Sequence, residues 1–165
     1  MSKIFVRKPV PLDSKSMARL LNQIIEQGGT TALTRPVTGD DMIEWMAEDA
    51  EQSVWHVAVD DAETVVGFQW ICPKEGLPDE ACDIATFVQI GRTGLGIGSA
   101  LFEATKTGAK ALGYRWINAN IRDDNEGGLI YYQSRGFVDY AIKDNVKLAS
   151  GQTVTKKLKR FDLYR

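Results

Sequence analysis

The sequence has little of what metal sites, disulfide frameworks and membrane spans require. Its 165 residues include one histidine, His56, and two cysteines, Cys72 and Cys82. A multi-histidine metal centre is therefore excluded, and two unpatterned cysteines are too few for a disulfide framework or a zinc site. No apolar run approaches the ~20 residues that a membrane-spanning helix needs. The sequence predicts neither a bound metal nor a membrane partner.

The charges are balanced, with 20 Lys and Arg against 22 Asp and Glu and a formal net charge of −2. The one basic run, near the end at residues 156–160, is typical of a solvated strand face, so nucleic acid is not an expected partner. Residues 1–14 lack the apolar stretch of a signal peptide, which predicts a cytoplasmic protein. The length and the 44% hydrophobic content predict a single globular domain over residues 1–165.

The hydrophobic patterning predicts alternating helices and strands. Strands are expected at residues 3–8, 53–59, 64–72, 81–89, 114–121, 136–142 and 154–164, and helices at 14–27, 40–50, about 97–112 and 125–134. Strands outnumber helices, and hairpins flank a single βαβ unit. The fold class predicted is mixed α and β rather than a regular doubly wound sheet.

A glycine-rich stretch joins a predicted strand to a long predicted helix. It reads RTGLGIGSAL and places Gly94, Gly96 and Gly98 at alternate positions. Glycine permits positive φ and close backbone approach, and the free N–H groups at a helix start attract anionic oxygens. The stretch therefore predicts a site for an anionic ligand, such as the phosphates of a cofactor.

Two common phosphate loops fit this stretch poorly. A P-loop requires Lys and then Ser or Thr after its last glycine, whereas Gly98 is followed by Ser99 and Ala100. A Rossmann loop requires G-x-G-x-x-G, and counting from Gly94 its third place holds Ser99, a small residue that keeps this reading open. However, only about 50 residues follow the second strand of the βαβ unit, too few to complete a dinucleotide fold. An NAD-binding oxidoreductase remains a weaker alternative.

A second pattern begins at Asn125 and reads NEGGLIYYQSRGF. At 3.6 residues per turn, Asn125 and Tyr132 fall on nearly the same side of a helix. Each of Gly127 and Gly128 costs roughly 0.5–1 kcal/mol relative to Ala within a helix. Their presence predicts that another group approaches this backbone closely.

Together the two stretches resemble the GCN5-related N-acetyltransferases, the GNAT superfamily. The glycine stretch is similar to motif A, R/Q-x-x-G-x-G/A, although Arg92 stands one residue before the usual place, which Thr93 holds. The second stretch is similar to motif B, N-x-x-A/G-x-x-x-Y-x-x-x-G-F, at every position: Asn125, Gly128, Tyr132, Gly136 and Phe137. The resemblance implies a mixed, mostly antiparallel sheet that is flanked by helices and splayed between its fourth and fifth strands, with acetyl-CoA in the cleft.

The resemblance also implies an activity, the transfer of the acetyl group of acetyl-CoA to a primary amine by direct attack. The cofactor-binding positions it implies are Phe87, Val88, Gln89, Arg92, Thr93, Gly94, Leu95, Gly96, Ile97, Gly98, Ser99, Asn125, Gly128 and Tyr132. Tyr132 is expected to donate to the departing sulfur, and Asp83 or Glu80 to accept the amine proton, directly or through water.

The acceptor itself is left open by the sequence. A small-molecule amine is expected ahead of a protein or peptide amine, and Arg35, in the connection after the first helix, could bind a carboxylate on it. A catalytically silent acyl-CoA-binding or sensing module is the alternative from another class of protein. A homodimer is also left open.

Overall fold

The computed structural model describes residues 3–31, 33–93 and 95–164, and shows one seven-stranded sheet with helices on both faces. The strands are β1 (Phe5–Arg7), β2 (Val54–Val59), β3 (Val65–Cys72), β4 (Ala81–Val88), β5 (Trp116–Arg122), β6 (Val138–Lys147) and β7 (Thr153–Asp162). The helices are α1 (Ser14–Gln27), α2 (Gly39–Ala47), α3 (Ile97–Ala111) and α4 (Glu126–Arg135), and a 3-10 turn at Pro11–Asp13 precedes α1.

The sheet has the order β1-β2-β3-β4-β5-β7-β6 and is antiparallel except between β4 and β5. Those two strands pair in parallel over only three positions, from Ala81 opposite Trp116 to Asp83 opposite Asn118. Beyond Asp83 the strands diverge. The expectation of a mixed, mostly antiparallel sheet splayed between its fourth and fifth strands is confirmed, and a parallel dinucleotide-binding sheet is excluded.

The helices follow from their apolar spacing and end signals. In α1 the residues Met17, Leu20, Leu21 and Ile24 recur at helical spacing and are all buried, and Gly28 ends the helix at a φ of 75°. Thr38 begins α2 by accepting a hydrogen bond from the backbone N–H of Asp41 at 3.0 Å. The helix predictions are therefore confirmed to within a few residues.

The two faces of the sheet carry separate cores. On one face α1 and α2 pack over Trp55, Val57 and Phe68. On the other, α3 and α4 pack through residues such as Phe102 and Tyr132. Because side chains alternate along a strand, Asp83, Ala85 and Phe87 of β4 face α1 and α2, while the residues between them face α3 and α4. Strand β4 therefore presents a different set of side chains to each face of the sheet.

Two boundaries differ from the sequence-based expectation by three residues or more. Helix α2 ends at Ala47 rather than at residue 50, and β6 continues to Lys147 rather than ending at residue 142. The extra length of β6 comes from pairing with β7, which reaches Lys147 opposite Thr153. Such pairing is a tertiary effect that local patterning does not report. No helix in residues 3–31, 33–93 and 95–164 combines the length and apolarity needed to cross a membrane.

Candidate active site

The divergence of β4 from β5 opens a cleft of about 1310 Å³ that is lined from both faces of the sheet. Most of the positions predicted from the sequence line it: Asp83, Phe87, Val88, Arg92, Thr93, Gly96, Gly98, Ser99, Asn125, Gly128 and Tyr132. Glu80, Gln89, Leu95 and Ile97 are not in the lining, and Gly94 lies outside the described residues. The side chain of Ile97 is instead buried in the core, and that of Leu95 is exposed.

The glycine loop leads into the first turn of α3 at one end of the cleft. Gly96 precedes the helix in the left-handed region, at a φ of 83°, and its carbonyl accepts the first helical hydrogen bond from Ala100 at 3.0 Å. The N–H groups of the first turn have no acceptor within the helix. Because Gly98 and Ser99 both line the cleft, the N-terminal end of α3, which is the kind of helix end that favours anions, is open to the cleft.

Gly98 is required by a close neighbour, the ring of Tyr131. A Cβ atom at position 98 would lie 2.6 Å from Cε1 of Tyr131. The phenol O–H of Tyr131 donates to the carbonyl oxygen of Gly98 at 2.7 Å. Helix α4 is thereby fixed against the start of α3, a contact that the sequence analysis missed.

Two guanidinium groups lie beside the loop and line the cleft. Arg92 contacts the carboxylate of Asp60 at 3.5 Å, and Arg135 donates to the hydroxyl of Ser99 at 2.5 Å. Positive charge beside a helix N-terminus favours a bound diphosphate. Arg92 was predicted from the sequence, whereas Arg135 lies within the second motif stretch but was not singled out.

The edge of β4 that faces the splay offers backbone groups to a ligand. The N–H of Gln89 donates to the carbonyl of Val66 on β3, so Gln89 turns its backbone polar groups away from the cleft. Because these groups alternate in direction along a strand, those of Thr86 and Val88 point into the gap left by β5. Of Phe87, Val88 and Gln89, the cofactor-binding positions predicted at the end of this strand, Val88 has this geometry. Thr86, which was not among the predicted positions, has it as well.

Tyr132 belongs to a chain of hydrogen bonds across the α3/α4 face. Its hydroxyl lies 2.8 Å from the hydroxyl of Thr86, which accepts from the side-chain amide of Gln69 at 2.8 Å. The same amide donates to the hydroxyl of Tyr131 at 3.0 Å. Gln69 is fully buried and thus links both tyrosines, and through Tyr131 the glycine loop, to one side-chain amide.

Burial controls the protonation of both tyrosines. It raises the pKa of the Tyr132 phenol far above its ordinary value, and that of Tyr131 to about 12. Both phenols therefore remain protonated near neutral pH, and each keeps an O–H group that is able to donate a hydrogen bond. Tyr132 is 8% exposed and lines the cleft, so a ligand can reach its side chain.

Asp83 is the acidic side chain that β4 brings into the cleft. Its carboxylate accepts from the amide of Asn118 at 2.8 Å and lies 3.4 Å from the ammonium of Lys74. Burial raises the pKa of Asp83 although Lys74 acts in the opposite direction. Glu80, the other candidate base, lies outside the cleft with a half-exposed side chain 3.9 Å from Arg115. The structure thus brings together Asp83 and Tyr132, but not Glu80.

Asn125 performs a structural role at the start of α4. Its side-chain oxygen accepts from the N–H of Gly128 at 3.0 Å, and its amide nitrogen donates to the carbonyl of Thr30 at 3.1 Å. Nearby, Arg122 donates to the carbonyl of Thr31 at 3.2 Å. The segment that follows α1 is therefore attached to the far side of the cleft by two hydrogen bonds.

The two glycines of α4 differ in what surrounds them. A Cβ atom on Gly128 would lie 2.5 Å from the amide nitrogen of Asn125, whereas one on Gly127 would meet only the oxygen of Asn125, at 3.9 Å. A protein side chain therefore approaches Gly128 closely, whereas the backbone of Gly127 faces the cleft with room beside it. The approaching group is the capping side chain itself.

Some of these residues had signals in the sequence. Gln69 interrupts an otherwise apolar strand, VVGFQWIC, and a polar residue in a buried strand must find partners. Tyr131 lies beside the motif tyrosine. Thr86 carries no such signal, because only the pairing of β3 with β4 places it opposite Gln69.

Comparison with known proteins places this geometry in one family. A family model described as "Acetyltransferase (GNAT) family" matches residues 18–137. YwnH of Bacillus subtilis (strain 168), named as a candidate phosphinothricin acetyltransferase, is 26% identical over 153 residues, which cover 92% of this chain and 90% of YwnH.

Solved structures agree on the fold. An N-acetyltransferase from Staphylococcus aureus Mu50 superposes with a TM-score of 0.87 at 22% identity, over 98% of this chain and 99% of that one. A GNAT superfamily phosphinothricin acetyltransferase from Sinorhizobium meliloti, solved with acetyl-CoA, gives 0.83 at 17% identity, over 96% and 88%.

The chain belongs to the acetyltransferase (GNAT) family. It is an acetyl-CoA-dependent N-acetyltransferase, with acetyl-CoA as the acetyl donor.

Proposed function

We propose that this enzyme acetylates the primary amine of a small molecule by direct attack, with Asp83 accepting the amine proton and Tyr132 donating to the sulfur of acetyl-CoA. The observation that carries the proposal is the position of Asp83. It is a partly buried carboxylate with a raised pKa, on the last pair of residues before β4 and β5 separate. Its carboxylate therefore lies at the start of the gap between β4 and β5, where the cleft is lined from both faces of the sheet.

The backbone supports the cofactor in this proposal. The first turn of α3 binds the diphosphate, with Arg92 and Arg135 beside it. The pantetheine arm pairs with the free edge of β4 at Thr86 and Val88. It forms hydrogen bonds with the backbone groups of β4 that β5 no longer reaches. The thioester is then directed toward the residues of β4 nearest Asp83.

The reaction needs one base and one hydrogen-bond donor. The neutral amine attacks the thioester carbon, its proton passes to Asp83 directly or through water, and the carbon–sulfur bond breaks to release the CoA thiolate. The carboxylate must be ionised to accept the proton. Since the pKa of Asp83 is raised, it is a stronger base than an exposed aspartate and is better matched to the ammonium group that the attack forms.

Tyr132 assists the leaving group without losing its proton completely. With ordinary pKa values near 10 for a phenol and 8.5 for a thiol, full transfer to a thiolate is uphill by roughly 2 kcal/mol. Burial raises the pKa of Tyr132 and increases that cost. The hydroxyl therefore acts as a hydrogen-bond donor as the bond breaks, in exchange for its contact with Thr86.

The test is a thiol-release assay with acetyl-CoA and a panel of amines, preceded by thermal shifts with acetyl-CoA, NAD and ATP. A ligand at 100 times its dissociation constant adds about 2.7 kcal/mol to the free energy of unfolding. We expect stabilisation by acetyl-CoA alone and thiol release with small amines. Stabilisation without release, for small amines and for peptide amines alike, would identify an acyl-CoA-binding module instead.

Phosphinothricin belongs in that panel because relatives of this chain carry its name. Cytoplasmic location and a homodimer stay predictions, to be checked by cell fractionation and by light scattering.

A further inference from the structure

The acceptor side of the cleft carries a wall of aromatic side chains that no part of the catalytic proposal uses. Trp70 is its centre. Its ring stacks on Trp55 at a centroid distance of 4.0 Å and an interplanar angle of 5°, and lies 5.9 Å from Phe87 and 6.2 Å from Trp45. All four residues line the cleft. Trp70, Phe87 and Trp45 are only partly buried, so this aromatic wall is accessible from the cleft.

The aromatic wall and Asp83 occupy the same face of the sheet. Cys72 pairs with Asp83 and Trp70 pairs with Ala85, so Trp70 lies two residues along from the partner of Asp83. Alternate residues of a strand share a face and are separated by roughly 7 Å. When the amino group of an acceptor lies at Asp83, the rest of the acceptor therefore has the rings of Trp70 and Phe87 beside it.

The charged side chains on this side of the cleft are of both signs. Glu48 and Asp49 line it together with Asp83. Lys74 contacts Asp83 at 3.4 Å, and burial together with the charge of Lys74 lowers the pKa of Lys156.

The arginines do not change this balance. Arg122 is held by Asp124, with its Nε and Nη2 at 3.0 and 2.9 Å from the two carboxylate oxygens. Arg35, the residue that the sequence suggested for a carboxylate, is exposed and is not among the lining residues. Among the described residues of the lining, the acceptor side thus offers aromatic surface beside three acidic groups, Glu48, Asp49 and Asp83, and three basic ones, Lys74, Arg122 and Lys156.

We propose that the acceptor is an arylalkylamine, a primary amine carried on a short chain that ends in an uncharged aromatic ring. The ring stacks on the aromatic wall and Asp83 attracts the ammonium, which loses its first proton to water; the neutral amine then attacks the thioester and Asp83 accepts the second proton, as in the proposed function. This inference rests on the proposed function. It adds the class of acceptor, which neither the family nor the motifs fix.

The first experiment compares three acceptors in the thiol-release assay: 2-phenylethylamine, n-hexylamine and glutamate. Aromatic pairing and the burial of the ring favour the aryl compound. We expect kcat/KM for 2-phenylethylamine to exceed that for n-hexylamine by about tenfold and that for glutamate by more. Equal values for the two uncharged amines, or a preference for glutamate, would overturn the inference.

Substitution of the wall gives a sharper result. Trp70→Leu removes the central ring, and we expect it to reduce the ratio of kcat/KM for the aryl and alkyl amines by about fivefold. This ratio does not depend on how much of the variant is folded. Phe87→Leu should lower it less. The matched control is Trp116→Leu, because Trp116 lies outside the cleft lining against Arg160 and Tyr140, and it should leave the ratio unchanged. An unchanged ratio of kcat/KM for the aryl and alkyl amines in Trp70→Leu would contradict the proposal.

A binding measurement separates this inference from the proposed function. Calorimetry of 2-phenylethylamine with the enzyme saturated with CoA requires no turnover. Binding that Trp70→Leu weakens, without thiol release from acetyl-CoA, would support the acceptor class and contradict the catalytic proposal. Thiol release with other amines, without binding of the aryl compound, would support the catalytic proposal and contradict the acceptor class.

Discussion

The two faces of strand β4 differ in how they are built. On the α3/α4 face the groups come from two compact stretches of sequence and are largely backbone amides, glycines and tyrosine hydroxyls. On the α1/α2 face the groups are side chains of β2, β3, β4 and α2, far apart in the sequence and without a motif. A cofactor common to a family constrains the first face, whereas the second can vary with the acceptor.

The largest effect is expected on the α1/α2 face, from Asp83→Asn. This change removes the proton acceptor and keeps the shape of the side chain, so kcat should fall by about 10²–10³-fold. The wild-type rate should rise with pH through a pKa above the ordinary aspartate range, and this limb should disappear in the variant. Steady-state kinetics across pH would measure both. Glu80 lies outside the cleft, so Glu80→Gln should leave kcat unchanged. A fall in kcat for Glu80→Gln but not for Asp83→Asn would assign the role of proton acceptor to Glu80.

The same variant should not lose stability. Because the folded-state pKa of Asp83 is raised, its ionisation destabilises the native state increasingly as pH rises from the unfolded value through the folded one. Asp83→Asn removes that cost at neutral pH. Its Tm should therefore equal or exceed that of the wild type at pH 7, and a large drop would show that the carboxylate is structural.

The next effect belongs to the α3/α4 face. Tyr132→Phe should lower turnover about 10²-fold, because the sulfur loses its hydrogen-bond donor. Its matched control is Tyr131→Phe, which loses the bond to the carbonyl of Gly98 and should raise the KM for acetyl-CoA more than it lowers kcat. Unchanged turnover in Tyr132→Phe would remove this residue from the mechanism.

A smaller effect tests the packing of the glycine loop. Gly98→Ala brings a Cβ within 2.6 Å of the Tyr131 ring, and overpacking of this kind costs about 1–3 kcal/mol. We expect acetyl-CoA affinity measured by calorimetry to weaken by about tenfold, which corresponds to ~1.4 kcal/mol. Gly108→Ala is the control in the same helix. Its Cβ would lie 2.9 Å from Val54, away from the cleft, so it should alter stability and leave affinity unchanged.

The smallest effect concerns α4, where Asn125 joins the two sides of the cleft. Gly127→Ala has room for its Cβ and should raise the free energy of unfolding by about 0.5–1 kcal/mol. Gly128→Ala displaces the capping amide of Asn125 and should lower that free energy by about 1 kcal/mol. Urea denaturation of both variants would measure the difference, and equal effects would mean that the cap is not what excludes a side chain at Gly128.

The sequence predicted the α3/α4 face well because its chemistry is local. A glycine at positive φ before a helix, and a capping asparagine three residues before a glycine, are set by near neighbours in the chain. Longer-range partners were missed. Gln69 reaches Tyr131 across 62 positions of the chain, and only the fold shows that Asp83 lines the cleft and that Glu80 does not.

The sequence by itself determined the element order, the glycine loop before α3 and the place of the second-motif tyrosine on α4, since each depends on spacing within a few turns of chain. Only the tertiary structure decided that β5 leaves β4 after Asp83, that Gln69 links both tyrosines, and that three tryptophans share a wall beside a partly buried carboxylate. The physical reason is that strand register and sheet divergence depend on the pairing of distant segments, and a shift of one residue would turn every one of these side chains to the other face.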